Sequence, residues 1–139
     1  MSENPLIILD GAHNPGAVRE VRETIRHRIP NKRLILVMGV MEDKDISKIL
    51  RIIVPAASHV SYTRPEYYRS ALPERLMQEA SHLGVAGEIL PSVPEAIEKA
   101  QKMADPDDII LVSGSLFTIG EALTYFDATK YKPDEPLSF

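Results

Sequence analysis

The most constraining feature of this sequence is the regular alternation of short aliphatic runs with stretches of helical period. The aliphatic runs have strand length and cover residues 6–9, 34–38, 58–62, 86–90 and 109–112. Each is followed by apolar residues that recur every three or four positions, which indicates an amphipathic helix. Nearly continuous aliphatic strands that alternate with helices are typical of parallel sheets covered on both faces. The pattern predicts an α/β fold, Rossmann-like and doubly wound, with a mostly parallel sheet.

Five helical stripes are predicted to face this sheet. They comprise Ala17, Val18, Val21 and Ile25; Ile46, Ile49, Leu50 and Ile53; Leu72, Leu76, Met77, Ala80 and Leu83; Val93, Ala96, Ile97 and Ala100; and Leu116, Ile119, Leu123 and Phe126. Two helix starts are also marked in the sequence. Asn14 before Pro15 predicts an N-cap followed by proline at the first helical position, and Ser92 with Glu95 predicts a capping box.

Composition narrows the possible partners and location. The 139 residues fit one domain with a substantial core. The net charge is −4 and the basic residues are scattered, so no nucleic-acid partner is predicted. Without cysteine there are no disulfides or thiolate metal sites. No apolar run has the roughly 18 residues of a membrane helix and no signal peptide is evident, so we expect no membrane partner and a cytoplasmic location. The final stretch, "DATKYKPDEPLSF", is interpreted as a tail or docking segment.

Polar and glycine residues concentrate directly after the predicted strands. They are Asp10, Gly11, His13 and Asn14 after the first strand; Gly39, Glu42, Asp43, Lys44 and Asp45 after the second; Thr63, Arg64, Tyr67, Tyr68 and Arg69 after the third; and Ser113, Gly114 and Ser115 after the fifth. In open parallel sheets, ligands bind beyond the carboxyl ends of the strands. This distribution therefore predicts a binding edge.

Each candidate on this edge has a structural alternative. The Asp10 carboxylate is suited to a ribose or an amine, or else it caps its own loop. His13 precedes a helix N-terminus and is suited to a phosphate or carboxylate, or else it packs against the loop. Asn14 is more typical of a cap, as is at least one of Ser113 and Ser115.

The sequence also leaves alternative roles open for the cations on this edge. Lys44 lies between two acids and fits a surface ion pair better than a phosphate site on composition alone. Arg64 and Arg69 are best placed to reach an acidic substrate, although "TRPEYYR" is equally compatible with a domain interface. The remaining histidines have no metal-ligand spacing, so no metal site is predicted.

Several catalytic signatures are missing from the sequence. There is no G-x-x-x-x-G-K-[ST] loop, no G-x-G-x-x-G after the first strand and no convincing Ser/His/Asp arrangement. The residues present can help to bind a nucleotide or an acid. They do not form a complete catalytic site.

Four motifs resemble one known family. "LDGAHNP" at 9–15 resembles the signature of the C-terminal domain of folylpolyglutamate synthase / dihydrofolate synthase, in the Mur ligase superfamily. "VMGVMEDKDI" at 37–46, "TRPEYYRSALPERL" at 63–76 and "LVSGSLFTIGEAL" at 111–123 are similar to the family's later motifs, in the same order. The resemblance extends over nearly the whole chain.

The resemblance implies a Rossmann-like domain that closes over an N-terminal ATPase domain, its expected partner. ATP would phosphorylate a folate or dihydropteroate carboxylate, and the amino group of glutamate would then attack the acyl phosphate. The P-loop and the Mg²⁺ ligands of the family belong to that N-terminal part. Carried over to matching positions, Asp10 would contact the nucleotide through its ribose, and Asn14 and Lys44 join it as candidate nucleotide-binding residues. His13 and Ser115 would lie near the ATP phosphates or the incoming glutamate, and they are the candidate catalytic residues.

Three hypotheses follow. In the first, residues 1–139 are a single domain of a longer ligase and are inactive alone; the short segment before strand one, interpreted as a central strand, favours this hypothesis. In the second, the chain is a free-standing module that binds a nucleotide or acid without catalysis. In the third, it is a partner subunit of a separate ATPase chain. A P-loop encoded in frame upstream would favour the first.

Overall fold

The computed structural model describes residues 4–128, in which strands and helices alternate strictly. The strands are β1 (Leu6–Asp10), β2 (Leu34–Met38), β3 (His59–Tyr62), β4 (Ala86–Ile89) and β5 (Ile109–Ser113). The helices are α1 (Pro15–Arg28), α2 (Ile46–Ile53), α3 (Pro73–Ala80), α4 (Val93–Met103) and α5 (Leu116–Ala128). Short 3₁₀ turns, Val54–Ala56 and Ser81–Leu83, follow α2 and α3. All five predicted strands are therefore confirmed.

The strands form one sheet in the order β1-β5-β2-β3-β4, and every neighbouring pair is parallel. Alternate side chains of β2 enter two separate cores: Leu36 packs with residues of α1, α2 and α3, whereas Val37 packs with residues of α4 and α5. Helices thus cover both faces of a parallel sheet, and the predicted doubly wound α/β fold is confirmed. Burial on both faces explains why the central strands are almost entirely aliphatic.

β1 lies at the edge of the sheet within the described residues. It pairs with β5 through five residues in register, from Leu6 opposite Ile109 to Asp10 opposite Ser113. The interpretation of strand one as a central strand is therefore wrong for residues 4–128. The reason is non-local, because β5 returns from the far side of the sheet and inserts between β1 and β2.

The helical stripes of α1, α2 and α4 pack into the core as predicted. The stripe of α3 is partly wrong, because Leu72 and Met77 are exposed. The stripe of α5 is wrong at two positions: the side chains of Leu116 and Leu123 are 70% and 55% exposed, whereas Thr118 and Ala122 are fully buried. A helix that is apolar on most sides gives no periodicity that selects its buried face.

The predicted helix starts agree with the structure. Asn14 Oδ1 accepts a hydrogen bond from the N–H of Ala17 at 2.9 Å, and Ser92 Oγ accepts one from the N–H of Glu95 at 3.2 Å. The C-terminal stretch that was interpreted as a tail or docking segment lies outside the described residues from residue 129 onward. Among residues 4–128, no helix combines the length and the apolar character needed to cross a membrane.

Candidate functional site

The strand order creates a crevice at the carboxyl ends of the central strands. β1, β5 and β2 end level with one another, since Asp10 and Met38 both lie opposite Ser113. The chain leaves β1 and β2 toward α1 and α2 on one face, and it leaves β5 toward α5 on the other. Ligands of open α/β sheets bind where neighbouring loops diverge in this way.

A cleft of about 220 Å³ opens at this point. Loops after four of the strands and the start of α5 contribute its lining, which consists of His13, Met41, Asp43, Lys44, Tyr67, Arg69, Ser115, Leu116 and Phe117. Two of these side chains, Lys44 and Arg69, are cations, one is the imidazole of His13, and one, Asp43, is acidic. The predicted binding edge is therefore a real concave surface, and its cations suit an anionic ligand.

The loops after β2 and β5 touch through their backbones at the base of this edge. Gly114 has φ +117°, a conformation that favours glycine, and a Cβ at this position would overlap the carbonyl group of Gly39. The N–H of Gly39 in turn donates to the carbonyl oxygen of Ser113 at 3.2 Å. The close approach of the two loops therefore requires glycine at position 114, and a Cβ at position 39 would lie 2.8 Å from Thr118 Oγ1 of α5.

A buried hydroxyl pair connects the same loops. The hydroxyl of Thr118 donates to the carbonyl oxygen of Gly39 at 2.9 Å. A hydroxyl has one proton to donate, so the contact of 2.8 Å between Ser115 Oγ and Thr118 Oγ1 must use the proton of Ser115. The network fixes the start of α5 against the loop after β2.

Ser115 caps α5. Its Oγ accepts the N–H of Thr118 at 3.0 Å, and its proton is given to Thr118. With the side chain buried and the hydroxyl proton engaged, the geometry favours the cap role over that of a nucleophile or a proton donor to a ligand. The catalytic assignment of Ser115 stays a prediction, and what the structure provides is its position in the cleft lining.

His13 is held by its own loop. Its Nδ1 lies 2.9 Å from the carbonyl oxygen of Gly11. A carbonyl oxygen only accepts, so Nδ1 carries a proton and the neutral ring presents the lone pair of Nε2. The half-buried imidazole lines the cleft, so it offers an acceptor when neutral and a cation when protonated.

Asp10 and Asn14 have structural roles in the same loop. Asp10 Oδ1 accepts the N–H of Ala12 at 2.9 Å, and Asn14 caps α1. Asp10 does not line the cleft; it lies in a neighbouring groove beside α1, together with Ile8 and Arg28 among others. The capping alternatives are therefore realised, and Asp10 keeps Oδ2 for a further partner.

Lys44 and Arg69 are the cations that the structure brings together at the cleft. Within residues 4–128 the half-buried Lys44 forms no ion pair, so the surface ion-pair interpretation is wrong there. The guanidinium carbon of Arg69 lies 5.4 Å from the ring centroid of Tyr68. Arg64 does not line the cleft.

The aromatic wall of the cleft comes from two distant segments. The ring of Tyr67, in the loop after β3, stacks on the ring of Phe117 in α5 with centroids 3.8 Å apart and planes 11° apart. Nearby, the carboxylate of Glu121 accepts the backbone N–H of Glu66 at 2.5 Å. The loop after β3 is thus attached to α5 beside the cleft.

Residues 4–128 contain no group of three or more His, Asp or Glu side chains arranged to hold a metal ion. The cleft itself has a single carboxylate, from Asp43.

Sequence reasoning missed Phe117, Thr118 and Glu121. All three follow Ser115 within two turns of α5, and the S-x-x-T spacing of Ser115 and Thr118 is a cap signal that could have indicated the hydroxyl pair. No local signal indicates the partners Gly39 and Glu66, which lie 79 and 55 residues away in sequence.

The fold and the cleft together define a Rossmann-like domain. Its cleft suits an anionic ligand and lies at the switch point of the sheet, where the chain leaves neighbouring strands toward opposite faces. The sequence profile described as "Mur ligase, glutamate ligase domain" matches residues 1–116. The chain belongs to this Mur ligase family.

Named relatives agree with this membership. The chain is 38% identical over 125 residues to "Probable bifunctional folylpolyglutamate synthase/dihydropteroate synthase" of Haloferax volcanii, a match that covers 89% of this chain and 15% of that protein. It superimposes on E. coli FolC, solved in complex with DHPP and ADP, with a TM-score of 0.83 and 30% identity, covering 94% of this chain and 30% of FolC. A folylpolyglutamate synthase/dihydrofolate synthase with Mn, AMPPNP and L-glutamate bound gives a TM-score of 0.79 and 30% identity, covering 91% and 30% of the two chains. The chain thus spans less than a third of the length of each.

Proposed function

We propose that residues 1–139 form the C-terminal domain of an ATP-dependent folate ligase, one that adds glutamate to a folate or dihydropteroate carboxylate through an acyl phosphate. The observation that carries this proposal is the cleft, because it gathers Lys44, Arg69 and His13 from three loops at the switch point of the sheet. The named relatives, which are several-fold longer, support the substrate class and the presence of further domains.

The cations of the cleft are suited to the two anionic partners of this reaction. Lys44 has no carboxylate partner among the described residues, so its ammonium is available to a phosphate of ATP. Arg69 can form two parallel hydrogen bonds with a carboxylate of glutamate, since its guanidinium is a planar fork of donors. Both contacts remain proposals.

His13 is proposed to act on the amino group of glutamate. An ammonium is not a nucleophile, so it must lose a proton before it attacks the acyl phosphate and releases phosphate. Since Nδ1 of His13 donates to Gly11, Nε2 can accept that proton or a hydrogen bond from the ammonium. Protonated His13 would then lie beside the developing negative charge and stabilise it.

Asp10, Asn14 and Ser115 have less direct parts in this proposal. The free Oδ2 of Asp10 would accept a hydrogen bond from a ribose hydroxyl, and Asn14 would hold α1 and keep an exposed amide near the nucleotide. Ser115 would act by fixing the start of α5, since its proton is already donated to Thr118.

Mg²⁺ and the ATPase machinery are proposed to belong to an N-terminal domain of the same ligase, the partner of this one. Residues 4–128 contain no cluster fit for a metal ion, and the sequence has no P-loop. The cytoplasmic location stays a prediction.

The test compares the complete ligase chain with residues 1–139 alone. We expect the complete chain to transfer radiolabelled glutamate to a folate or to dihydropteroate in the presence of ATP and Mg²⁺, and residues 1–139 to transfer none. Glutamate transfer by residues 1–139 alone would contradict the proposal. ATP binding by residues 1–139, measured by calorimetry, together with an inactive complete chain would favour the non-catalytic binding module.

A further inference from the structure

The first half of α5 contacts the loops that form the cleft. The side chain of Leu116 occupies the space that a Cβ on Gly11 would need, in the loop after β1. Thr118 donates to Gly39, in the loop after β2. The loop after β3 is attached to the same helix, so α5 contacts three of the loops that line the cleft.

The loop after β3, residues 63–71, is held at three places. At its start, the N–H of Thr63 donates to the carbonyl oxygen of Met38 at 2.9 Å. Its C-terminal part pairs with the loop after β2, where the N–H of Glu42 donates to the carbonyl oxygen of Arg69 at 2.7 Å and the N–H of Ala71 donates to that of Val40 at 2.8 Å. Its middle is held from outside the loop by side chains of α5. Within the loop, Ser70 adds two bonds, because its hydroxyl donates to the carbonyl oxygen of Pro65 at 3.0 Å and its N–H donates to that of Tyr67 at 2.9 Å.

The attachment to α5 consists of one hydrogen bond and one ring stack. The carboxylate of Glu121 accepts the N–H of Glu66, and the ring of Phe117 stacks on Tyr67, the next residue. Hydrogen bonds to an ionised acceptor are shorter and stronger than neutral ones. Glu121 is half-buried and forms no ion pair within residues 4–128, so no cation competes with Glu66 for its carboxylate.

We propose that Glu121 is a positioning residue for the acidic substrate: by holding Glu66 it fixes the segment that carries Tyr67 and Arg69 on the cleft. This inference rests on the proposed function and adds a determinant that does not line the cleft. Loss of the hydrogen bond loosens Glu66 and Tyr67, while the backbone of Arg69 stays bonded to Glu42. The effect reaches the Arg69 side chain through Tyr68, whose ring centroid lies 4.9 Å from that of Tyr67 and 5.4 Å from the Arg69 guanidinium carbon. Arg69 then has more orientations to lose when it binds a carboxylate, so glutamate affinity falls.

The experiment uses the complete ligase chain with the variants Glu121→Ala, Glu121→Gln and Asp127→Ala. Asp127→Ala is the matched control, because Asp127 is an exposed acid on the same helix and its loss changes the net charge equally. We expect Glu121→Ala to raise KM for glutamate about tenfold, with kcat and KM for ATP within about twofold, since the contact holds a binding group. Glu121→Gln keeps an oxygen acceptor and is expected to recover most of the affinity.

Amide hydrogen exchange of residues 66–69 supplies a second readout, which does not depend on catalysis. We expect faster exchange in Glu121→Ala than in the wild type and in Asp127→Ala. The inference is overturned if Glu121→Ala matches Asp127→Ala in KM for glutamate, or if kcat and both KM values change together. If the complete wild-type chain transfers no glutamate, the proposed function fails, and unchanged exchange at residues 66–69 in Glu121→Ala would overturn the inference separately.

Discussion

Gly39 and Gly114 approach each other so closely where β2 and β5 end that a Cβ on Gly114 would overlap the carbonyl oxygen of Gly39. The hydroxyl of Thr118 reinforces this contact by donating to the carbonyl oxygen of Gly39. The position of Lys44, which follows Gly39 by five residues, therefore depends on the loop after β5.

The first prediction concerns the tolerance of this contact to a methyl group. Gly114→Ala is expected to lower the free energy of unfolding by about 2 kcal/mol or more, because it combines an unfavourable φ with overlap against Gly39. Gly120→Ala is the control, since a Cβ there meets no atom within 4 Å and Gly120 lies inside a helix. It is expected to raise stability by about 0.5–1 kcal/mol. Urea denaturation of both variants gives the comparison, and equal midpoints would contradict the prediction.

The second prediction concerns the hydroxyl of Thr118. Thr118→Val keeps the shape of the side chain but leaves the carbonyl oxygen of Gly39 without this donor, so a loss of about 1–3 kcal/mol is expected. Thr118→Ser keeps the hydroxyl and is expected to recover at least half of that loss. Thermal and urea unfolding measure both variants. A Thr118→Ser protein no more stable than Thr118→Val would mean that the hydroxyl contributes nothing.

The third prediction concerns Lys44 as a ligand of the nucleotide. Lys44→Met removes the ammonium and keeps most of the aliphatic stem, so KM for ATP in the complete ligase is expected to rise about tenfold or more. The matched control is Lys48→Met, because Lys48 is an exposed lysine of the adjacent helix α2 that does not line the cleft. Equal KM values for the two variants would argue against a nucleotide contact by Lys44.

The fourth prediction concerns the amino ends of the strands, far from the cleft. There Arg33, just before β2, pairs with the buried carboxylate of Asp108, just before β5, at 2.6 Å. Burial of the Asp108 carboxyl raises its pKa. Hydrogen bonds from Arg33 and from the N–H of Asp105, together with the positive charges of Arg33 and Lys32, outweigh burial, so the pKa of Asp108 lies below its ordinary value. A carboxylate with a lowered pKa stabilises the fold above its unfolded-state pKa, and this contribution is lost as the pH falls through the folded-state value.

Asp108→Asn is therefore expected to unfold at lower urea than the wild type at pH 7, with a difference that shrinks as the pH falls from about 4 toward 3. Asp107→Asn is the control, since the Asp107 side chain is 85% exposed. It is expected to follow the wild type at each pH. A difference between wild type and Asp108→Asn that stays constant from pH 7 to pH 3 would contradict the assignment.

Much of the architecture could be predicted from local sequence. The aliphatic run of β2 and the stripe of α2 identify their elements because strand and helix place side chains with different periods. The helix starts at Asn14 and Ser92 are equally local, since a cap and the N–H that it accepts lie three residues apart. The concentration of polar residues after the strands correctly indicated the edge that carries the cleft.

The details of the site were less predictable. His13 and Lys44 were named and do line the cleft, but the commitment of the Ser115 hydroxyl to Thr118 and the groove occupied by Asp10 could not be anticipated. The buried face of α5 was assigned wrongly because the helix is apolar on most sides. A hydrophobic pattern identifies the buried face of a helix only when the opposite face is polar.

The sequence by itself determined which segments are strands and helices, that the sheet is parallel, and which edge collects the polar residues. These properties depend on spacings of a few residues and on the rules that govern βαβ connections. Only the tertiary structure decided that β5 lies between β1 and β2, that β1 lies at the edge within the described residues, and that Thr118 and Glu121 hold loops 79 and 55 residues away. These contacts depend on the order in which distant strands pair, and no local pattern in the sequence indicates that order.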